Sequence, residues 1–570
     1  MARLSQTVVV SEHLAAELLG PRRDLLVERP WTAADDQSGL RAASHGPSER
    51  PEGAEVRQAT YAIEQGAMAA YRRDVTAVAT GEPERVSVTE TTEFRTALGV
   101  WGLFVVLPIR RALRRVKGRQ STYTPPWGPP QTLDLRSATV LGLLLTLAYV
   151  AGYVGTVMTQ TIAFAADDFG RGTGAQGGAL AAVRVGALGS LALVAMSDRR
   201  GRRRLLLGSA AAACILTVVG ALSPTLEVLT VSQTLARCFT TATTLLLAVV
   251  AAEEMPAGAR AYAISVMTMT GALGAGLAVG ALSFVDRAEW GWRVLYVIPV
   301  LGLPIVARTR HRLPESQRFV RPHRDATVIR GHAARFWAIG AALFCSSAFG
   351  APSSQLLNDF LRDERGFSSS RIAIFTFATT TPAGIALVAG GHLADTRGRR
   401  QVVAVGVAGG ALVGAWGFTQ AGWPLWAANL GSTMLGALAV PALGAYGPEL
   451  FPTAARAKAN GIIQVVSVAG SAIGLVVAGT VAERTGRLSN GMFLLLPLAL
   501  LVAALALIVF PETARRELED INPEDALDPA FGVAGADGLL VVDPLVAPSP
   551  TPDEADPPSS GPPEPPSLRA

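Results

Sequence analysis

Two arginines stand where arginine is expensive. Arg184 and Arg237 lie inside apolar runs of roughly twenty residues, long enough to cross a bilayer as helix. A guanidinium at that depth costs about 3 kcal/mol on insertion scales unless it faces a cavity or a partner. A ligand carrying a carboxylate or another anionic group is one such partner. An acid at the outer end of a span, such as Glu227, is a second, and a purely structural hydrogen bond is a third. Other polar residues in similar runs could line a cavity between helices: Tyr149, Tyr153, Gln160, Gln233, Gln355, Asn358, the threonines at 379–381, Asn429 and Gln464. Taken singly, each of these is more commonly a helix–helix hydrogen bond than a ligand contact.

A second set of charges falls between the apolar runs, and it falls twice. DRRGRRR from Asp198 recurs as DTRGRRQ from Asp395, an offset of 197 residues. EEMPAGAR, Glu253 to Arg260, recurs as ELFPTAAR, Glu449 to Arg456, at 196. PES from Pro314 recurs as PET from Pro511, at 197 again. Three landmarks at one spacing mark an internal duplication. An Asp at a helix end with Arg three or four residues on places opposite charges where two bundles meet, and such pairs are worth little in water and more when packed. The candidate charge network is Asp198, Arg202, Arg203, Asp395, Arg399 and Arg400, with Glu253, Arg260, Glu315, Glu449, Arg456 and Glu512 as partners. The alternative is that these arginines only set topology.

The elements that must hold these residues follow from composition. Half of the residues are apolar and only 17% are charged, which places the chain among membrane proteins. Apolar stretches near 137–161, 176–197, 204–223, 229–252, 261–285 and 289–307 form one set of six, and 335–357, 371–394, 401–420, 424–447, 460–481 and 489–510 form the second. The short basic loops, at 199–204, 260, 308–335, 397–400, 456–458 and 515–516, then all fall on one side, the cytoplasmic one, with both termini inside. Arg362, Arg365, Arg371, Arg484 and Arg487 break the bias without reversing it. A net charge of +5 spread in these clusters describes membrane topology and not a nucleic-acid surface. The expected fold is an all-α membrane protein with twelve transmembrane helices in two parallel six-helix repeats, because an even number of spans per repeat keeps the orientation.

Outside the bundles, residues 1–95 show no motif and read as a cytoplasmic extension, disordered or regulatory. Residues 96–135 hold ALGVWGLFVVLPI, too short to span, followed at once by the basic stretch 110–119. This fits an interfacial helix held by anionic lipid, or a helix packed on the cytoplasmic ends of the bundle. The six-helix units are 136–308 and 335–514, joined by a cytoplasmic loop at 309–334, and the Pro-rich acidic 515–570 reads as a disordered tail. Cys214, Cys238 and Cys345 sit in apolar runs as small hydrophobes, with no disulfide framework. The first residues lack the apolar core of a cleavable signal, so the first span would direct insertion. Lysine occurs only at 117 and 458 while Arg, Ala, Gly and Pro abound, which suggests a high-GC bacterium. No nucleophile–base pair, metal cluster or phosphate loop stands out, so neither an enzyme, a metal or cofactor, nor a self-contained ATP-driven pump is expected.

With these motifs on the page, GHLADTRGRR, Gly391 to Arg400, resembles the loop signature of the major facilitator superfamily. The PES and PET ends and the two E-x-x-P-x-x-x-R runs resemble more narrowly the sugar porters and related metabolite transporters, over about residues 135–516. The resemblance implies secondary active or facilitative transport of a small organic metabolite, a sugar or an organic acid, by a monomer in the plasma membrane. It also implies that the duplicated charges latch a cytoplasmic gate in the outward-facing state. Proton-coupled porters of this kind carry G-Y-D in the first helix, and here Gly152 and Tyr153 are followed by Val154. The acids of that helix are Asp167 and Asp168 at its outer end, so protons as a coupled partner are an open point. The family's basic residue of the fourth helix falls on Gln233, and Arg237 occupies a position that is normally glycine. Val194 stands where the second copy has Gly391, a departure that bears on close packing there. Gly271, Gly274, Gly276 and Gly280 of the fifth helix read as close packing without the Gly-Pro signature of drug antiporters. Efflux, or a membrane sensor derived from a transporter, are the alternative functions.

Overall fold

A computed structural model of the chain describes residues 1–32, 35, 56–80, 84–121, 123–125, 127–171, 173–282, 290–316, 333–453, 455–522, 533–534 and 540–541. Among these, 11 helices are long and apolar enough to cross a membrane. The first six spans are Leu135–Asp168, Thr173–Arg200, Arg202–Ala221, Leu226–Glu254, Arg260–Gly280 and Gly291–Arg312. The second six begin with Ala333–Glu364 and the broken pair Ser369–Thr380 and Ala383–Arg397. Arg399–Gly417 takes the ninth place, and Gly422–Glu449, Arg456–Thr485 and Leu488–Ile508 complete the set. The ninth helix is the one outside the eleven: at 19 residues, its Arg399-Arg400-Gln401 start dilutes an otherwise apolar segment.

The duplication is visible in backbone as well as in sequence. Gly201 and Gly398, 197 apart, take the same unusual conformation, φ 96° and 105°, at the turn between the second and third helix of each half. A side chain is strained there, so glycine is required to reverse the chain within one residue. The first and fifth spans touch backbone to backbone: a Cβ added at Gly274 would lie 2.0 Å from the Tyr149 carbonyl oxygen. Gly274 therefore serves the close packing expected of it, as Gly152 does against the Gly271 backbone, whereas a Cβ at Gly271 itself would make an ordinary contact and Gly276 and Gly280 face open space.

The extension corrects the expectation of disorder. Strands β1 (Ala2–Ser11), β2 (Val27–Pro30), β3 (Val56–Gln65), β4 (Met68–Ala79) and β5 (Arg85–Thr96) form an antiparallel sheet in the order β1-β5-β4-β3-β2. Helix α1 (Glu12–Leu19) and helix α2 (Gly102–Leu113) contribute Ala15, Leu18 and Leu113 to the small cores formed with Tyr71, Val75, Val88 and Phe94 of the sheet. The twelve-helix part is all α, and the sheet is added to it at the end that carries the basic loops.

What makes this segment read as polar is what the fold pairs up. Buried Arg73 donates to Glu28 at 2.6 Å and to the carbonyls of Leu18 and Gly20 at 2.9 and 2.7 Å. Arg119 forks onto Glu90 at 3.0 and 2.7 Å, and Arg22 meets Asp24 at 2.6 Å. Burial alone would raise the Glu90 carboxyl, but the hydrogen bonds and charges of Arg119 and Arg73 carry it below the usual carboxylate range. Charges satisfied in this way can be enclosed in a small core; unpaired they would each cost several kcal/mol. The tail is likewise shorter than expected. Leu518 and Asn522 are buried, and Asn522 Nδ2 donates to the Glu449 carbonyl at 2.7 Å. The remainder of the expected disordered tail, like most of the central loop from 317 to 332, falls outside the described residues apart from a short pairing of Val533–Ala534 with Leu540–Val541.

Candidate functional site

The duplicated charges come together at the end of the bundle where the basic loops lie, and they do so twice. Glu253, at the end of the fourth span, accepts from Arg202 Nε of its own half at 3.1 Å and from Arg456 Nη1 of the other half at 2.8 Å. Glu449, 196 residues on, lies against Arg399 of its own half and against Arg260 of the other at 3.7 Å. All these side chains are buried. Asp395 adds a third link between halves, accepting from the backbone N–H groups of Ala261 and Tyr262 at 3.3 and 2.9 Å while holding Arg399 at 3.1 Å. Arg202 Nη2 also donates to the Thr453 carbonyl across the interface at 2.6 Å. The side chain of Asp198 lies outside the described residues.

The structure separates four of the twelve candidate charges from this cluster. Glu315 accepts from the Arg203 N–H at 2.9 Å, and Glu512 accepts from the Arg399 and Arg400 N–H groups at 2.9 and 3.3 Å. These carboxylates cap the N-termini of the third and ninth spans, where unpaired N–H groups and the helix dipole favour an anion. The side chains of Arg203 and Arg400 donate to the Arg310 and Leu507 carbonyls at the ends of the sixth and twelfth spans. All four therefore pin helix ends within one half, and the inter-half role expected of them passes to the buried pairs.

Val194 finds its explanation across the interface. Gly391 on the eighth span packs against Ser265 on the fifth; a Cβ there would lie 2.5 Å from Ser265 Oγ and 2.9 Å from the Ala261 carbonyl. On the matching contact, the bulk sits on the second span and the glycine on the eleventh: Gly461, 196 residues after Ser265, receives Leu191 and Val194. The small residue has changed sides. A Gly391→Val substitution should push the eighth span off the fifth, an overpacking of about 1–3 kcal/mol. The expected result is faster alkylation of a cysteine placed at Ala261, buried here, in inside-out vesicles, with recovery in Gly391→Val/Ser265→Gly. Unchanged labelling would remove the close contact from the closure of this side.

Between the halves and beyond the ion pairs lies a cavity of about 830 Å³ lined from the first, fourth, fifth, seventh, tenth and eleventh spans. Arg237 is the charged group on its wall among the described residues. Its Nη1 donates to the Gly155 carbonyl at 3.1 Å. Thr240, Thr241 and Thr244 follow it on one helical face, with Thr268, Ser346, Asn460 and Gln464 from other spans. The volume suits a small organic molecule.

Of the ten candidate ligand residues, Arg237 and Gln464 line this cavity. Tyr153 is buried inside its own half, donating to the Leu295 carbonyl at 2.8 Å, and Tyr149 packs edge-on against Trp101 of the extension. Gln233 is buried against the third span, with its amide 3.5 Å from the Leu216 carbonyl. Asn429 donates to Thr379 at 2.7 Å, Asn358 is exposed near the end of the seventh span, and Gln160 lies off the cavity wall. Arg184 donates to Gln355 at 3.0 Å, joining the second and seventh spans across the halves. Glu227 is engaged by Arg171 at 2.6 Å, so the outer-end acid pairs with neither Arg184 nor Arg237 in the described structure. The missed cavity residues carry a readable signal: Thr240, Thr241 and Thr244 stand three, four and seven positions after Arg237, the spacing of one helix face.

Residues 142–357 and 338–548 match the family model of the Major Facilitator Superfamily. A probable 4-methylmuconolactone transporter of Cupriavidus pinatubonensis (strain JMP 134 / LMG 1197) is 26% identical over 385 residues, covering 62% of this chain and 88% of that protein. Among solved structures, the proton:xylose symporter XylE superposes with a TM-score of 0.57 at 17% identity, over 68% of this chain and 98% of its own. The E. coli fucose:proton symporter FucP does so with 0.54 at 13%, over 65% and 98%. The family match begins at 142, so the sheet lies outside it.

Proposed function

Because this chain belongs to the major facilitator superfamily, and is a membrane transporter of small metabolites, we propose that its cargo is a small organic anion bound at Arg237. Its two halves rock about that cavity, and the ion pairs of Glu253 and Glu449 latch the cytoplasmic side while the outer side is open. The observation that carries the reading is a guanidinium on the wall of the central cavity with one carbonyl as its hydrogen-bond partner among the described residues. A charge kept there at a cost of about 3 kcal/mol is accounted for by a ligand of opposite sign. The named cargo of the relative from Cupriavidus supports the class, since a muconolactone is a small lactone that bears a carboxylate.

Coupling follows from what surrounds the ligand. The described residues of the cavity wall include no carboxylate, and Val154 stands where a proton-carrying acid would be. The substrate therefore crosses with its own charge uncompensated. Moving one negative charge inward against ~100 mV costs about 2.3 kcal/mol, roughly fifty-fold at equilibrium.

In proteoliposomes, uptake of a panel of small carboxylates and carboxylated lactones should be indifferent to a pH gradient and should rise when valinomycin and potassium make the interior positive. Uptake abolished by a protonophore would mean that another acid carries a proton. Uptake of neutral sugars without that of any acid would overturn the anion reading.

A further inference from the structure

We infer that a second cavity, outside the path between the halves, binds one acyl chain of an anionic phospholipid of the cytoplasmic leaflet, with its phosphate at Arg110 and Arg115. The space is about 370 Å³ and lies between the extension and the bundle. Leu26, Trp101 and Ile109 form one wall, and Leu145, Val266 and Leu273 the other.

Its depth fits one leaflet. The lining on the fifth span runs from Tyr262 to Leu273, eleven positions or about 16 Å of helix. That is close to half of a ~30 Å hydrocarbon core. Its mouth opens on surface that already faces lipid. Phe104 and Leu273 at the cavity are 70% and 47% exposed, and Leu103 and Leu107 extend the apolar face along α2, with Val100 just before it. A face of this kind lies in the acyl boundary of a membrane, where a lipid chain is the apolar molecule at hand.

The polar end fits a phosphate. Tyr123 lines the cavity, and the Arg115 guanidinium stacks on its ring at 3.7 Å. Arg115 Nη1 and Arg110 Nε are buried atoms without a hydrogen-bond partner among the described residues. Arg111 and Arg114 are exposed beside them. Two half-buried arginines that adjoin the lining residues Ile109 and Leu113, each with a donor not yet spent, match a headgroup followed by its chain, and the anionic cytoplasmic leaflet supplies that headgroup.

Occupancy would reach the closed cytoplasmic end. The Tyr262 ring forms part of the cavity wall, its hydroxyl donates to the Trp127 carbonyl at 3.0 Å, and its N–H is held by Asp395 at 2.9 Å. His392 Nδ1, from the other half, lies 3.0 Å from the Gly128 carbonyl. A chain seated in the cavity thus supports a linker that touches both halves.

The test places the full chain in nanodiscs doped with phosphatidylglycerol or phosphatidylcholine carrying a diazirine in the acyl chain, and maps the photo-adducts by mass spectrometry. Adducts on 101–109 and 262–273 are expected at about ten times the density found at Ile385 and Val476, two exposed lipid-facing references. The excess should appear with phosphatidylglycerol and fall to the phosphatidylcholine level in Arg110→Gln/Arg115→Gln. Val105→Trp and Val266→Trp, each filling the slot from a different wall, should abolish it while leaving labelling at Ile385 and Val476 unchanged. Cavity labelling no denser than at the reference positions, equal labelling by the two lipids, or persistence in both tryptophan variants would overturn the assignment. So would displacement of the lipid by a transported carboxylate, which would make the cavity part of the transport path.

Discussion

Glu253→Gln should release the cytoplasmic side of the transporter and abolish most of its transport. Glu253 is the one carboxylate shown between Arg202 of its own half and Arg456 of the other, at 3.1 and 2.8 Å, with all three side chains buried. Breaking a buried pair by removing one partner costs about 3–5 kcal/mol, because the remaining charge keeps its desolvation cost and loses its attraction. Here two guanidinium groups are left facing a neutral amide, and separating the halves restores their water. If that cost falls on the closed state alone, its population drops by a factor of about 150 to 5,000. On the outer side, the halves are joined in the described structure by the exposed hydrogen bond from Arg184 to Gln355, worth about 1.5–3 kcal/mol at most. The balance therefore tips towards the state open to the cytoplasm. Spin labels at Arg204 and Arg397, exposed and on opposite halves, should report a longer distance in Glu253→Gln. Glu449→Gln should do the same through Arg399 and Arg260. An unchanged distance with intact uptake would show that these pairs do not hold the gate.

How far the sequence revealed this arrangement depended on what each residue needs for its role. The spans and the duplication were legible because apolar length and a motif repeated at 196–197 residues are local properties. The sheet was not, because its charges look like solvated ones until their partners are known. Arg73 with Glu28, and Arg119 with Glu90, come from positions 45 and 29 apart, and composition counts each as a polar residue against a core. The same limit divided the charge network. Glu315 and Glu449 are both glutamates beside a proline, yet one caps a helix within its half and the other sits between halves. The substitution of Val194 for glycine was visible, but its compensation by Gly461 was not, since the compensating residue is on the helix it faces. Arg237 was found by the cost of its burial. Tyr149 and Tyr153 were misplaced because polarity alone does not say which side of a first span meets the cavity.

Arg237 offers a test in which transport and stability should move in opposite directions. A guanidinium has five N–H donors, and one of those of Arg237 is shown bonded, to the Gly155 carbonyl at 3.1 Å. Charge-assisted hydrogen bonds to a bound carboxylate are worth about 1.5–3 kcal/mol each, so Arg237→Gln should lower kcat/KM for an anionic substrate by roughly 10- to 150-fold per bond lost. Arg237→Lys keeps the charge without the planar fork and should fall between the two. The fold itself gains from removing the residue. An arginine at that depth costs about 3 kcal/mol, while the single carbonyl contact returns about 1.5–3 kcal/mol at most. Arg237→Leu should therefore leave the thermal midpoint of the purified protein unchanged or raise it, as happens when a group kept for function is replaced by one suited to its surroundings. A structural arginine would behave otherwise: its loss would lower the midpoint and leave the ranking of substrates untouched. Uptake of the carboxylate panel by Arg237→Leu, together with its melting curve, separates a ligand-binding arginine from a structural one.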